Sequence, residues 1–535
     1  MQTNFATLDW IVLIVYFLGT MSIGFYFYRK SRSSEGFMAA GRSLPGWACG
    51  LSIFATYLSS ISFLALPGKA YAANWNPFVF SLSLPIAVWL AVKFFMPYYR
   101  RTGEVSAYAH LEHRFGPWAR VYASFFYVLT QLARMGVVMY LMALPLCILL
   151  QKDLRWIIIF TGISVTVYSF VGGIVAVIWA DALQAIVLMV GAAVCSVLIL
   201  FNMPQGPGQI FQIAAEHHKF SLGSFEAALT EPTFWVVLVY GIVINLQNFG
   251  IDQSYVQRYI SSKSDREARK SIWLGGLLYI PVSAVFFFIG TQLFAFYSVH
   301  PDYLQEAKLA VAEQKLIQQG VDRQRSNFEQ MQTEKAASLE DKEIGDGVFP
   351  HFIGRVLPRG ITGLLIAAIF AAGMSTVSTS LNSSATLLVT DWYKRFLNRR
   401  ADEKHTMMAL YTATVFWGIL GTCVALLLTK TSESILDIWW TLAGILGGGM
   451  IGLFLLGIIS RQAKNPVAVT SVILGASIMT WMTVSAQTTL IPEHLQSHFH
   501  GFMIPVFGTL TILLTGIVLS AFLKKPAGHS KVIEP

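Results

Sequence analysis

Apolar runs of bilayer length recur along the whole chain, and no other feature restricts its fold as strongly. They fall near residues 9–28, 46–67, 77–99, 118–150, 155–174, 178–201, 232–258, 272–297, 361–388, 407–429, 436–460, 466–484 and 500–523. A helix needs about 20 apolar residues to cross a hydrocarbon core roughly 30 Å thick, so about thirteen spans are predicted. No water reaches the backbone amides in that core, and a helix satisfies them internally. The expected fold is an all-α polytopic membrane protein, a single transmembrane domain over residues 1–535. Composition agrees, with 55% apolar residues, 13% charged residues and a mean hydropathy of +0.57.

The net charge of +9 sits mainly in short loops, which suits contact with anionic lipid head groups and gives no reason to invoke nucleic acid. Arg29, Lys30, Arg32 and Arg42 follow the first run, and Arg100, Arg101, Arg114 and Arg120 the third. Lys263, Arg266, Arg269 and Lys270 follow the seventh, and Lys394, Arg395, Arg399, Arg400 and Lys404 the ninth. Arg461 and Lys464 separate the eleventh from the twelfth, and Lys524 and Lys525 follow the last. All of them share one face if the N-terminus is outside and the C-terminus inside. Met1–Leu8 lacks the positive charge of a cleavable signal. Cys49, Cys147, Cys195 and Cys423 form no C-x-x-C pair and are expected to pack as small apolar groups.

Two loops on the opposite face are long. Asn202–Glu231 is punctuated by Pro204, Gly206, Pro207 and Gly208, and a short helix is expected within it. Ser298–Pro350 carries six Lys/Arg against ten Asp/Glu, and its Leu304–Leu316 portion has helical spacing. An external helical hairpin, serving as a solvated connector, is expected there. Glycine-rich Gly444–Gly452 lies inside a run and reads as close helix packing. The Asn382-Ser383-Ser384 sequon is expected to be buried and unreachable by glycosylation. No GxGxxG in a strand–helix context, HExxH or nucleophile elbow occurs, so an enzyme is not expected.

The ninth run breaks the apolar pattern. Ser375, Thr376, Ser378, Thr379, Ser380, Asn382, Ser383 and Ser384 fall within ten residues. Helical spacing stacks Ser375, Ser378 and Thr379 on one side, with Ala372 a turn before Ser375 and Thr376. Neutral oxygens of this kind suit a hard monovalent cation. Small residues also let membrane helices pack closely, and the chemistry alone leaves both readings open. Two further runs carry polar interruptions: Ser52, Thr56, Ser59, Ser60 and Ser62 in the second, and Asn245, Gln247, Asn248, Asp252 and Gln253 in the seventh. Paired interruptions five spans apart point to an inverted-repeat transporter with a mid-membrane site. Arg134 and Asp181 stand out as the deep charges. Either they neutralise each other, or Asp181 joins the Ser375 hydroxyls around a cation while Arg134 receives a substrate carboxylate.

The order Ala371-Ala372-Gly373-Met374-Ser375-Thr376-Val377-Ser378-Thr379-Ser380-Leu381-Asn382-Ser383, ending Asp391-Trp392-Tyr393, resembles the signature helix of sodium:solute symporters. Within that family the chain looks most like bacterial sialic acid transporters. The similarity includes Phe54-Ala55-Thr56, Leu58-Ser59-Ser60-Ile61, Lys69-Ala70-Tyr71, Arg134, Val177-Ile178-Trp179, Asp181 and Val256-Gln257-Arg258-Tyr259-Ile260. The resemblance implies a five-plus-five, LeuT-like core with repeats over 46–201 and 232–460. An extra helix at 9–28 would precede the core, two at 466–523 would follow, and 298–350 would form an external insertion. It implies a conserved sodium site at Ala55, Leu58, Ala372, Ser375 and Thr376, and a second at Asp181, Ser375, Ser378 and Thr379. One or two sodium ions would then be coupled to a solute whose carboxylate meets Arg134, with Ser59 and Ser62 beside it.

Three positions depart from that pattern. Tyr57 stands where the sialic acid transporters have a small threonine, and Ser81 where they have a glutamine that reads the sugar; Pro77 replaces a phenylalanine. Tyr57 and Ser81 are thus candidate substrate-binding residues: Tyr57 shrinks the pocket and Ser81 removes a two-headed amide, while an anionic or zwitterionic solute survives. The function implied is sodium-coupled symport of a small carboxylate-bearing solute such as sialic acid or another sugar acid, by a monomer in the inner (plasma) membrane. Transport of a neutral sugar, proton coupling through Asp181 and a non-transporting solute sensor are the alternatives. The short tail after the last run leads us to expect no attached signalling domain.

Overall fold

A computed structural model of the protein describes residues 5–150, 152–319, 321–323, 325–429, 449–487 and 491–522. Among these residues the secondary structure is helical, with a single isolated bridge between Leu44 and Ser262. Ten helices are long and apolar enough to cross a membrane, or eleven if a bent pair counts as one span. We number those that matter for the site: α1 Thr7–Phe27, α2 Gly46–Tyr57, α3 Ser60–Ala72, α4 Asn76–Thr102, α5 Pro117–Leu150, α6 Leu154–Phe201, α7 Phe234–Ile251, α8 Gln253–Ser261, α9 Asp265–Val299, α10 Ile361–Leu387, α11 Glu403–Leu428 and α12 Met450–Ile459. Asn465–Gln487 and Met503–Phe522 pack against each other near the end of the chain.

The second run is the bent pair. Helix α2 ends where Leu58 turns to φ −89°, ψ 95°, and α3 leaves at 59° to it. Ser59 caps α3 by accepting a hydrogen bond from the Ser62 amide at 3.4 Å. The seventh run breaks as well. Asp252 takes φ −70°, ψ 123° between α7 and α8, and its carboxylate accepts from the Ser254 amide at 2.8 Å. Both polar interruptions are therefore real breaks in the helix, where side-chain caps replace ladder bonds.

The fifth and sixth runs form one 48-residue element folded at Gly173, whose φ of 51° and ψ of −153° are non-helical. At about 1.5 Å per residue a straight helix of that length would reach roughly 72 Å, far more than one crossing needs. Ser31 donates to the Gly172 carbonyl beside the fold, tying it to the basic loop after α1.

Helix α10 is the centre of the bundle. Every residue from Leu365 to Leu387 is buried, against a largely exposed α1. It packs most extensively on α6 and also on α5, α1, α11 and α2. A span wrapped by protein instead of lipid can carry hydroxyls on every side, provided each finds a partner. The Asn382-Ser383-Ser384 sequon is buried here as expected. Cys49 and Cys195 are packed, whereas Cys423 is exposed on the outer surface of α11, unlike the expectation.

The predicted short helix in the first long loop is Gly208–Glu216. The insertion holds three helices: Pro301–Gln318, Phe328–Ala337 and Asp341–Arg355. The first two form the expected hairpin, but the third does not behave as a solvated connector. It lies on α3 so closely that a Cβ at Gly68 would sit 2.9 Å from the Gly345 carbonyl oxygen. Arg355 and Glu306, at 2.9 Å, tie it to the hairpin. Residues 430–448, which include most of the eleventh run and part of Gly444–Gly452, lie outside the described residues; α12 is the part described.

Gly173→Ala tests the fold in α6. Only glycine adopts that backbone readily, and an added Cβ would meet the Phe37 ring at 2.8 Å. The expected loss is about 1–3 kcal/mol, read as a lower thermal midpoint in detergent. Gly206→Ala, also at positive φ but with open space around it, should shift the midpoint less.

Candidate functional site

The break in the second run exposes backbone oxygen. The last ladder bond runs from the Leu58 amide to the Phe54 carbonyl, at 3.0 Å. The carbonyls of Ala55, Thr56 and Leu58 lie beyond it and can face other partners. Thr56 has one: Arg134 on α5 donates through Nη2 to its carbonyl at 3.2 Å. The Thr56 hydroxyl meets that of Thr379 on α10 at 3.1 Å, which fastens the break to the hydroxyl-rich helix. Ala55, Leu58, Ala372, Ser375 and Thr376 are all buried at this contact between α2 and α10.

On α10 the hydroxyls divide by what they donate to. Thr376 donates to the Ala372 carbonyl at 3.1 Å and Ser378 to the Ser375 carbonyl at 3.0 Å. With their protons committed to the helix, their lone pairs remain available to a cation. The Ser375 hydroxyl is buried with no hydrogen-bond partner among the described residues. The Asp181 carboxylate oxygen Oδ1 is in the same condition, and Ser375 lies within interaction range of Asp181. The Ser375 hydroxyl and Asp181 Oδ1 thus present adjacent buried oxygens of the kind a hard cation accepts. The donor set suits sodium at the first position implied by the resemblance; at the second, Asp181 and Thr379 also serve Arg258.

Of the two alternatives for the deep charges, mutual neutralisation is overturned. Asp181 does not pair with Arg134. Its Oδ2 accepts from Arg258 Nη2 at 2.8 Å and from the Ser52 hydroxyl at 2.5 Å. Arg258, fully buried on α8, also donates to Ser52 at 2.6 Å, to the Thr379 hydroxyl at 2.6 Å and to the Ser254 carbonyl. Of the four residues expected at a second sodium, Thr379 is therefore already engaged, by Arg258 and by Thr56.

A different carboxylate acts on Arg134. The buried Asp252 carboxylate at the second break interacts electrostatically with it. The Tyr127 hydroxyl lies 3.3 Å from that carboxylate and 2.9 Å from the Ser383 hydroxyl. Reading one deep arginine and one deep aspartate from the sequence undercounted: the site holds Arg134, Asp252, Asp181 and Arg258. Asp252 was visible as part of the second interruption. Arg258 sat at the end of an apolar run, where a basic residue resembles a loop charge.

The remaining candidates surround Tyr57. Its hydroxyl donates to Asn245 Oδ1. Asn245 in turn donates to Ser83 at 2.8 Å and to the Phe80 carbonyl at 3.3 Å. The Tyr57 ring stands edge-on to Tyr279, with centroids 4.4 Å apart, and packs near Phe249 and Tyr255. Ser62 interacts with the Tyr279 hydroxyl and lies 3.5 Å from the Ser59 hydroxyl. Ser81 is buried and accepts from Ser283, one turn beyond Tyr279, at 3.0 Å. Tyr57, Ser59, Ser62 and Ser81 thus gather on one side of the first break, and Arg134 reaches it through Thr56.

If Asp181 and Arg258 neutralise each other, removing one leaves a buried charge unpaired. Asp181→Leu or Arg258→Leu alone should cost about 3–5 kcal/mol, seen as a collapse in folded yield and thermal midpoint. The double variant should recover most of that loss. Pairing Asp181→Leu with Arg134→Leu instead should recover nothing.

Comparison with known proteins places this geometry. The model of the sodium:solute symporter family matches residues 37–475. The chain is 32% identical to the sodium/sialic acid symporter NanT of Aliivibrio fischeri, over 99% of this chain and 96% of that protein. It is 27% identical to human sodium-coupled monocarboxylate transporter 2, over 90% of this chain and 73% of that protein. The solved structure of a Na+-coupled sialic acid symporter, in a substrate-bound outward-open state, superposes with a TM-score of 0.83. That match has 27% identity and covers 97% of this chain and 98% of that one.

Proposed function

Because the chain belongs to the sodium:solute symporter family, we propose that it imports a carboxylate-bearing solute, a sugar acid of the sialic acid type, together with one or two sodium ions. The observation that carries this reading is Arg134. Its guanidinium is held at the first helix break by the Thr56 carbonyl and acted on by Asp252. A deep arginine is costly to insert, by about 2.5–3.5 kcal/mol or more, and its planar fork matches a carboxylate at two points. Ser59 and Ser62 supply hydroxyls beside it. The relatives' names agree in chemistry, since sialic acid and monocarboxylates both carry a carboxylate.

Sodium enters as a co-substrate. At Ala55, Leu58, Ala372, Ser375 and Thr376 it would fasten the first break to α10 and so organise the solute pocket, which makes the two bindings cooperative. At Asp181, Ser375 and Ser378 a second ion would share Asp181 with Arg258. Alternating access would follow from rocking of two inverted five-helix repeats, 46–201 and 232–460, around the paired breaks. The ten long helices, the bent pair, the second limb beyond Gly173 and the run ending in α12 support thirteen crossings. The basic loops support an outside N-terminus and an inside C-terminus, and we take the protein to act as a monomer in the inner (plasma) membrane.

A second reading is favoured by Tyr57. Locked to Asn245 and packed on Tyr279, it occupies space beside Ser62 that a long sugar acid would need. A shorter carboxylate fits the narrower pocket. A solute panel of graded length, with and without the carboxylate, separates the two readings in proteoliposomes under a sodium gradient.

Two outcomes check the shared core of both. Arg134→Lys should bind nearly as poorly as Arg134→Ala, with a loss of roughly 30- to 4,000-fold, because an ammonium lacks the two-point geometry. Calorimetry with each acid against its amide reads this, and full affinity in Arg134→Lys would sink the carboxylate reading. Ser375→Ala or Thr376→Val should raise the sodium concentration for half-maximal uptake without loss of membrane insertion. Unchanged sodium activation in both variants would move the ion elsewhere.

A further inference from the structure

A second cavity lies away from the transport site, at the end of the bundle where the basic loops gather. It has a volume of about 460 Å³ and opens between the end of α4, the loop helix Ala109–Phe115 and α12. The volume is that of a small-ligand site, roughly 300–1,000 Å³. Its walls are aromatic and apolar, with Phe94, Tyr98 and Phe454 prominent, and its polar groups are His110, Arg114 and Arg461.

The polar groups are arranged for an anion. Arg114 spends Nε on the Gly457 carbonyl at 2.9 Å and Nη2 on the Ser460 carbonyl at 2.6 Å, which caps α12 and fixes the guanidinium at the rim. Nη1 still has two N–H groups to offer. Arg461 is exposed at the mouth. His110 is 91% buried, sandwiched between Tyr98 and Phe454 with centroids at 4.6 and 5.7 Å. Its Nε2 lies against Gly457 of the cavity wall and has no hydrogen-bond partner among the described residues. Burial, helped by Arg114 and His113, pulls its pKa down to about 4, so the ring is neutral near pH 7 and can donate one N–H. A buried polar atom without a partner is unfavourable unless something outside the chain satisfies it.

We propose that this cavity binds an anionic phospholipid, with the head-group phosphate held by Arg114, Arg461 and His110 and an acyl chain lying along Phe94 and Phe454. The position fits a lipid. Arg100 and Arg101 close the adjoining end of α4, which marks the membrane boundary, and basic pockets between spans on that face hold anionic head groups. The site also has a route to transport. Phe95 and Tyr99, on the cavity wall, touch the second break: the Tyr99 hydroxyl donates to the Gly250 carbonyl at 2.9 Å, two residues before Asp252. A bound lipid would thus brace the segment that must flex there.

The test uses the full-length protein in detergent, with phosphatidylglycerol, phosphatidylcholine or inorganic phosphate added. Phosphatidylglycerol alone should raise the thermal midpoint and leave one retained lipid in native mass spectra. Arg461→Glu should weaken that binding about 5- to 30-fold, the effect of one to two charges at the membrane surface. His110→Phe keeps the aromatic stack, removes the unpartnered nitrogen and should also reduce lipid retention. An equal midpoint shift with phosphatidylcholine would overturn the anionic assignment, and an equal shift with inorganic phosphate would overturn the lipid. Unchanged retention in both variants would overturn the site.

Discussion

The contact between Arg258 and Asp181 is the constraint on which the rest of the site depends. Two charges with no solvent exposure are tolerable only if their hydrogen-bonding capacity is met by the surrounding chain. Meeting it draws in Ser52 from α2, Thr379 from α10 and the Ser254 carbonyl from α8 itself. Four elements distant in sequence are thereby held in one register. From Thr379 the link continues through the Thr56 hydroxyl to the residue whose carbonyl receives Arg134. The hydroxyls of α10 and Arg134 are thus joined by one polar path through the bundle.

That path explains why the two helix breaks matter together. Each releases backbone groups that a membrane does not otherwise forgive. The first leaves the Ala55, Thr56 and Leu58 carbonyls beyond the ladder, and the second places Asp252 where it caps α8 and acts on Arg134. A ligand that neutralises or coordinates groups at one break therefore changes the electrostatic balance at the other. Coupling between a cation and an anionic solute needs such a shared element, because one ligand can alter the affinity for another only through states that both distinguish.

Different residues carry different parts of this network. Arg258 and Asp181 neutralise each other, while the Asp252 carboxylate acts on Arg134. Tyr57 takes part in neither contact. Its ring completes an aromatic cluster with Phe249, Tyr255 and Tyr279, while its hydroxyl is held by Asn245. Gln257 adds a further brace, donating to the Met38 carbonyl and to Thr386 at 3.0 and 2.9 Å. The external helix Asp341–Arg355 closes on α3 from the other side, so the broken second run is gripped at both ends.

Much of this was legible in the residues themselves. Apolar length determined the class of fold, because only helices of that length satisfy their own backbone in lipid. The hydroxyl density of α10 and the polar runs at Ser52–Ser62 and Asn245–Gln253 marked the interruptions, because such residues are too costly in lipid to occur there idly. What no local pattern could decide was pairing. Arg134 and Asp181 were the conspicuous deep charges, yet Asp181 pairs with Arg258 and the carboxylate that acts on Arg134 is Asp252, both on the seventh run. Charge interaction falls with distance through space and takes no account of distance along the chain. Only the packing of α5, α6 and α8 against α10 determined which carboxylate met which guanidinium.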